Sequence, residues 1–168
     1  MKKPDRAVWT LALCIALLPP IWAVAAPYIG VQTGAVALIC AGLYSAGGDR
    51  RKALPMTLGF LAGDGWGVLA LLAMEKLPLP ASAATFLVLF GMGGAAVLVA
   101  SALPRVFFLP AWLCGWAIAL TVMGPVGLAN IGTLPWQIAA AMVAGVWYVG
   151  VGVEAAQSLL LRKRNGPK

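Results

Sequence analysis

Histidine is absent from this 168-residue chain, and acidic side chains number only five. These shortages remove most site chemistry at once. A serine protease or metalloprotease needs a His base or metal ligands, and an aspartyl protease needs two acids in one buried site, whereas only Asp64 falls deep within an apolar run. Charge of either sign is scarce too, at 10% against roughly a quarter in an ordinary soluble domain. Twelve basic and five acidic side chains cannot coat a globule of this size, so a soluble single domain is excluded. A phosphate-cradling loop is missing, because Ala46-Gly47-Gly48-Asp49 is too short and no Lys-Ser/Thr follows it. Cys14, Cys40 and Cys114 sit in apolar runs, where a thiol acts as a small hydrophobe. With neither a CxxC pair nor a His beside them, no disulfide and no metal site is expected. The expectation is a non-enzyme with no catalytic residue, cofactor or metal.

What the chain has instead is apolar length. Hydrophobic residues make up 62%, in stretches of about 20 residues that recur from end to end. This describes a single polytopic membrane domain over residues 1–168 whose partner is the lipid bilayer. Six spans are read at 8–28, 31–46, 53–74, 83–103, 106–124 and 135–160. They are expected to be helices, since backbone amides in lipid must be satisfied within their own segment and the alternating polarity of a barrel is missing. The joints are 46–52, Glu75-Lys76-Leu77-Pro78-Leu79-Pro80, Pro104-Arg105 and the Pro125 to Pro135 stretch with Gly127, Asn130 and Gly132.

The net charge of +7 lies in the gaps between apolar runs rather than along one folded face, which argues against nucleic acid and for orientation. With a cytoplasmic N-terminus, Lys2, Lys3, Arg6, Arg50, Arg51, Lys52, Arg105, Arg162, Lys163, Arg164 and Lys168 share one side, and Lys76 alone stands opposite. Eleven against one follows the positive-inside rule and requires an even number of spans, so both termini are expected in the cytoplasm. A rival reading takes Lys2, Lys3 and Arg6, the apolar Ala7 to Leu18 and Ala23-Val24-Ala25 as a secretory signal with its cleavage site. The apolar run, however, continues through Pro19-Pro20 and Ile21-Trp22, which favours a kinked span.

Leu54-Pro55 and Leu134-Pro135 open the third and sixth spans, and Gly65 and Gly145 follow at equal offsets, with Trp66 or Trp147 close behind. Two halves of three spans, 8–74 and 83–160, would enter the membrane from opposite sides and form a 3+3 inverted-topology repeat. Chance in a chain with 20 Gly and 12 Pro is the alternative. The second and fifth spans occupy equivalent places, and both are short and punctuated by Gly or Pro, which in repeat-built transporters points to a midplane site.

Asp64 is the leading candidate for a solute or ion pathway. It lies about 16 Å into its span by helical rise, close to the bilayer midplane, where a charged side chain costs about 2.5–3.5 kcal/mol and usually marks a pathway. Thr57, seven residues earlier, shares its face. The bland alternative is a neutral Asp donating one interhelical hydrogen bond. Gly59, Gly63 and Gly67 form a small-residue stripe for close helix packing, against another span of the chain or a second protomer. Glu154, with Gln157 one turn on, reads as an interfacial acid beside the basic tail or as part of a cytoplasmic vestibule. Trp9 and Trp136 fit an aromatic belt, whereas the deeper Trp66, Trp116 and Trp147 line a pathway or pack in the core.

Ile21-Trp22, the second span with Gly34, Cys40, Gly42 and Tyr44, the Gly47-Gly48 basic loop, the third span with Trp66 and the fifth with Pro110, Ala111, Cys114 and Gly115 together resemble one family. It is the family of small bacterial inner-membrane proteins catalogued as domain of unknown function 1097, and the likeness covers roughly residues 15–160. It implies a multi-pass inner-membrane protein and lends no activity; Asp64 has no counterpart in its pattern. The residues themselves favour a small channel or transporter for a small solute, working as a homo-oligomer because six short spans line a pathway poorly alone. The alternative is an accessory membrane subunit that binds a partner through small-residue helix faces.

Overall fold

Lipid leaves a chain of this composition only helices, and helices are what it forms. The computed structural model describes residues 6–47 and 49–162, with no strand among them. Of the residues singled out above, Lys2, Lys3, Gly48, Lys163, Arg164 and Lys168 lie outside the described residues. Six rods follow one another: α1 (Arg6–Ala25, extended by a 3-10 turn, Ala26–Ile29), α2 (Val36–Gly47), α3 (Arg50–Lys76), α4 (Ala81–Ala102), α5 (Leu109–Met123) and a last rod. That rod joins α6 (Leu134–Ala144) through a π-helical segment, Gly145–Val151, to α7 (Gly152–Arg162).

Four of these rods are long and apolar enough to cross a membrane. The other two, α2 with 12 residues and α5 with 15, reach about 18 and 22 Å, short of a hydrocarbon core of about 30 Å. The second span was expected from residue 31, but Gly30 closes the preceding 3-10 turn in the left-handed region at φ 82°, and Trp22 Nε1 donates to Gly34 O at 3.0 Å. These contacts hold the chain as a turn until Val36. The fifth was expected from 106 and starts at Leu109, with Pro110 in its first turn, where a missing N–H costs nothing. The π segment was not anticipated.

Successive rods alternate in direction. Gln157 Nε2 donates to Ala7 O at 3.0 Å, Arg50 meets Glu154, and Phe108 N donates to Pro55 O at 3.1 Å. Arg6, Arg50, Arg51, Lys52 and Arg105 therefore gather at one end of the bundle, with Lys76 at the other.

The core is built on close backbone approach. A Cβ on Gly59 would meet Phe108 O at 2.7 Å, one on Gly63 would meet Trp116 N at 2.6 Å, and one on Gly67 would strike Ala119. Because these partners ascend together, α3 and α5 are parallel, and no other pair of rods packs as extensively. Gly145 lies on Ala37 and Cys40, and Gly150 on Tyr44, so α2 and the π segment form a second parallel pair. Phe60, Met56, Met123, Ile138, Met142 and Val146 fill the space among α2, α3, α5 and α6. Outside them, α1 and α4 turn Val24, Phe86, Phe90 and Leu98 outward.

The glycines matched in the sequence differ in environment. Gly65 has open space where a Cβ would stand, whereas Gly145 is packed against α2. That correspondence carries no weight for a repeat.

Candidate functional site

Helix α3 is launched by Asp49, whose carboxylate accepts the Arg51 N–H at 3.1 Å as an N-cap. Thr57, which meets Trp147 of the last rod, and Asp64 follow two turns apart on one face. Thr57 is buried; its hydroxyl donates to Ala53 O at 2.8 Å and accepts the Trp147 indole N–H at 3.0 Å. Asp64 is 5% exposed, and its Oδ1 is buried without a hydrogen-bond partner among the described residues. It thus faces the bundle interior rather than lipid, 14 residues from the start of the helix and 12 from its end. Buried polar atoms are nearly always paired, so an orphan oxygen at mid-helix requires an explanation.

The glycine stripe answers the question of its partner. Gly59, Gly63 and Gly67 pack against α5 within the same chain. Trp66 turns away from Asp64, donating its indole N–H to Met92 O on α4 at 3.1 Å and meeting Trp112 edge-on at 5.4 Å. Its contacts tie α3 to α4 and α5. Trp112 and Trp116 are buried, their indole nitrogens without a partner among the described residues, whereas Trp9 and Trp136 are strongly exposed near helix ends.

Glu154 lies at the basic end, remote from Asp64. Arg50 Nε approaches its Oε1 at 3.3 Å, and the Tyr44 hydroxyl donates to its Oε2. Both members of the ion pair are about half exposed, so its contribution is at most about 1 kcal/mol. Leu11, Tyr44, Ser45, Glu154 and Gln157 border a cavity of about 280 Å³ there. Asp64, Thr57 and Trp66 do not line it. The sequence reading named Tyr44, Arg50 and Trp147 but not their pairings with Glu154 and Thr57, because Tyr44 and Trp147 find their partners 110 and 90 residues away and no local pattern announces such pairs. Among the described residues no group of three or more His, Cys, Asp or Glu could hold a metal, and the three thiols are free.

Apolar rods of membrane length, packed through glycines around a buried carboxylate, define a polytopic helical membrane protein. Within that class the chain belongs to the family described as protein of unknown function (DUF1097), whose model matches residues 12–157. Comparison with curated proteins and with solved structures finds no match.

Proposed function

We propose that the chain is a small channel or transporter that moves a small solute across the bacterial inner membrane, with both termini in the cytoplasm and a homo-oligomeric assembly. The observation that carries this reading is Asp64: a carboxyl group 5% exposed at the middle of α3, with one oxygen unpartnered among the described residues. Such a group contributes little to stability, and its cost in lipid is tolerated where an ion or proton must be held in passing. Thr57 extends the polar stripe toward the basic end, where Glu154 borders a vestibule. The absence of His and of a second deep acid supports a non-enzymatic role.

The 3+3 inverted repeat is part of this proposal. Helix α3 packs on α4 and α5 of the other half, while the last rod packs on α1 and α2, a pairing that supports this reading. An axis in the membrane plane would exchange the two arrangements. Solute flux into proteoliposomes containing only this protein tests the function. Flux that Asp64→Asn abolishes is expected; none for any small solute or ion would end the transport reading.

One observation favours an accessory subunit. Gly91 and Gly94 face outward on α4 with open space around them, beside the exposed Phe90 and Leu98, a surface on which another helix can pack closely. Co-purification of a second membrane protein, lost on Gly91→Leu, would support that role.

A further inference from the structure

Two interruptions of regular helical hydrogen bonding meet at one cavity. In α1, Pro19 and Pro20 have no N–H, so the carbonyls of Ile15 and Ala16 lose the donors that stand four residues on. In the last rod the π segment, Gly145–Val151, replaces the α-helical pattern. Ile15, Pro19 and Pro20 from the first and Val149 from the second line a half-open cavity of about 570 Å³, bordered by Trp22 and by residues of the 31–38 stretch that leads into α2. Its size falls in the ordinary range for small-molecule sites. Broken helices facing each other within a membrane bundle are the usual setting of solute sites, because irregular backbone is tolerated there only where it lines a cavity or is covered by protein.

The lining restricts the chemistry. Among the described residues no Asp, Glu, Lys or Arg borders this cavity. The Trp22 indole N–H is already engaged by Gly34 O, so its ring offers apolar surface only. Gln32 brings the one polar side chain to the lining among the described residues, and the Ile15 carbonyl, one turn before the buried Pro19, lacks its helical donor. A charged solute would lose its hydration without compensation here, whereas an apolar body with a single N–H or O–H finds both a wall and an acceptor. Ile15 also lines the 280 Å³ vestibule holding Tyr44 and Glu154, so the two spaces adjoin along α1 and the cavity has an approach from the basic end.

We infer that the cavity between α1, α2 and the π segment binds an uncharged, mostly apolar small molecule with one hydrogen-bond donor, of the chemistry of indole or phenol. This names the solute class for the proposed transport and rests on that reading for movement, but not for binding. The test is photolabelling of the full chain in detergent with trifluoromethyl phenyl diazirine, an uncharged apolar probe, with indole as competitor and peptide mapping as readout. Labelling around Ile15, Leu38 and Val149 is expected to saturate and to fall at least about fivefold with excess indole, while labelling of the outward Phe86, Phe90 and Leu98 rises linearly and is not displaced. N-methylindole, which lacks the donor, is expected to compete several-fold more weakly, the scale of one neutral hydrogen bond. Ala35→Trp and, independently, Leu38→Trp, both at exposed positions on the rim, are expected to abolish the saturable labelling while the protein still elutes as the wild type does. Labelling that is linear at the cavity and indifferent to indole would mean that only detergent or acyl chains enter, and the inference would be overturned. Saturable binding without indole flux in proteoliposomes would uphold the site and overturn only its assignment as the site of the transported solute.

Discussion

A single methyl group separates two kinds of glycine in α3. Gly63→Ala would force its Cβ into the Trp112–Trp116 backbone, with Trp116 N at 2.6 Å and Gly115 C at 2.9 Å, and overpacking of this kind costs about 1–3 kcal/mol. Gly65→Ala, two residues on, meets open space. The thermal midpoint in detergent is expected to fall for the first variant and to hold for the second. Asp64 invites the opposite experiment. With Oδ1 unpartnered among the described residues, little is lost when the carboxyl goes, so Asp64→Leu is expected to fold with an unchanged or higher midpoint while abolishing flux. Asp64→Asn separates ionisation from size and is also expected to be inactive, yet folded. A large loss of stability in Asp64→Leu would mean that the residue is structural. Its depth and burial were legible in the sequence, because an acid in the middle of an apolar run has only the bundle interior to turn to. The missing partner was not, since that depends on which faces of the last rod lie opposite.

At the scale of elements, hydrophobic run length and the punctuation by Pro, Gly and charge located six rods to within a few residues. The errors have local causes that the backbone reveals. Gly30 in the left-handed region and the Trp22–Gly34 hydrogen bond delay α2, and Pro110 begins α5. The π segment has no comparable sequence signal; it is stabilised by tertiary contacts of Gly145 and Gly150 with α2. The short rods α2 and α5 each lie parallel to a longer and better buried rod, while α1 and α4 are the most exposed of the long ones. Protection should follow this order. Hydrogen exchange in detergent is expected to be slowest in α3 and α5 and faster in α1 and α4, because local opening is easiest where few buried contacts must be broken. Uniform exchange across all six rods would contradict the packing described.

For the whole molecule, the gathering of Arg6, Arg50, Arg51, Lys52 and Arg105 at one end, with Lys76 at the other, makes orientation testable. Reporter fusions after Lys52 and Arg105 are expected to behave as cytoplasmic and one near Pro80 as external. A periplasmic signal after Lys52 would overturn the orientation. Superposing residues 8–74 on 83–160 is expected to require rotation about an axis in the membrane plane; an axis along the membrane normal would remove the inverted repeat from the proposal.

Composition and charge placement determined by themselves that this is a helical membrane protein with about six rods and one basic end, because transfer into lipid acts on each segment separately and is read from that segment's own residues. The likeness to its family was legible in the same local features. Only the tertiary structure decided that the glycine stripe serves α5, that Trp66 leans on α4, that Glu154 meets Tyr44 and Arg50, and that Pro19, Pro20 and the π segment share a cavity. Those facts depend on pairings between residues far apart in the chain. Among apolar helices of similar length, fit between side-chain shapes chooses the partner, and hydropathy carries no record of shape.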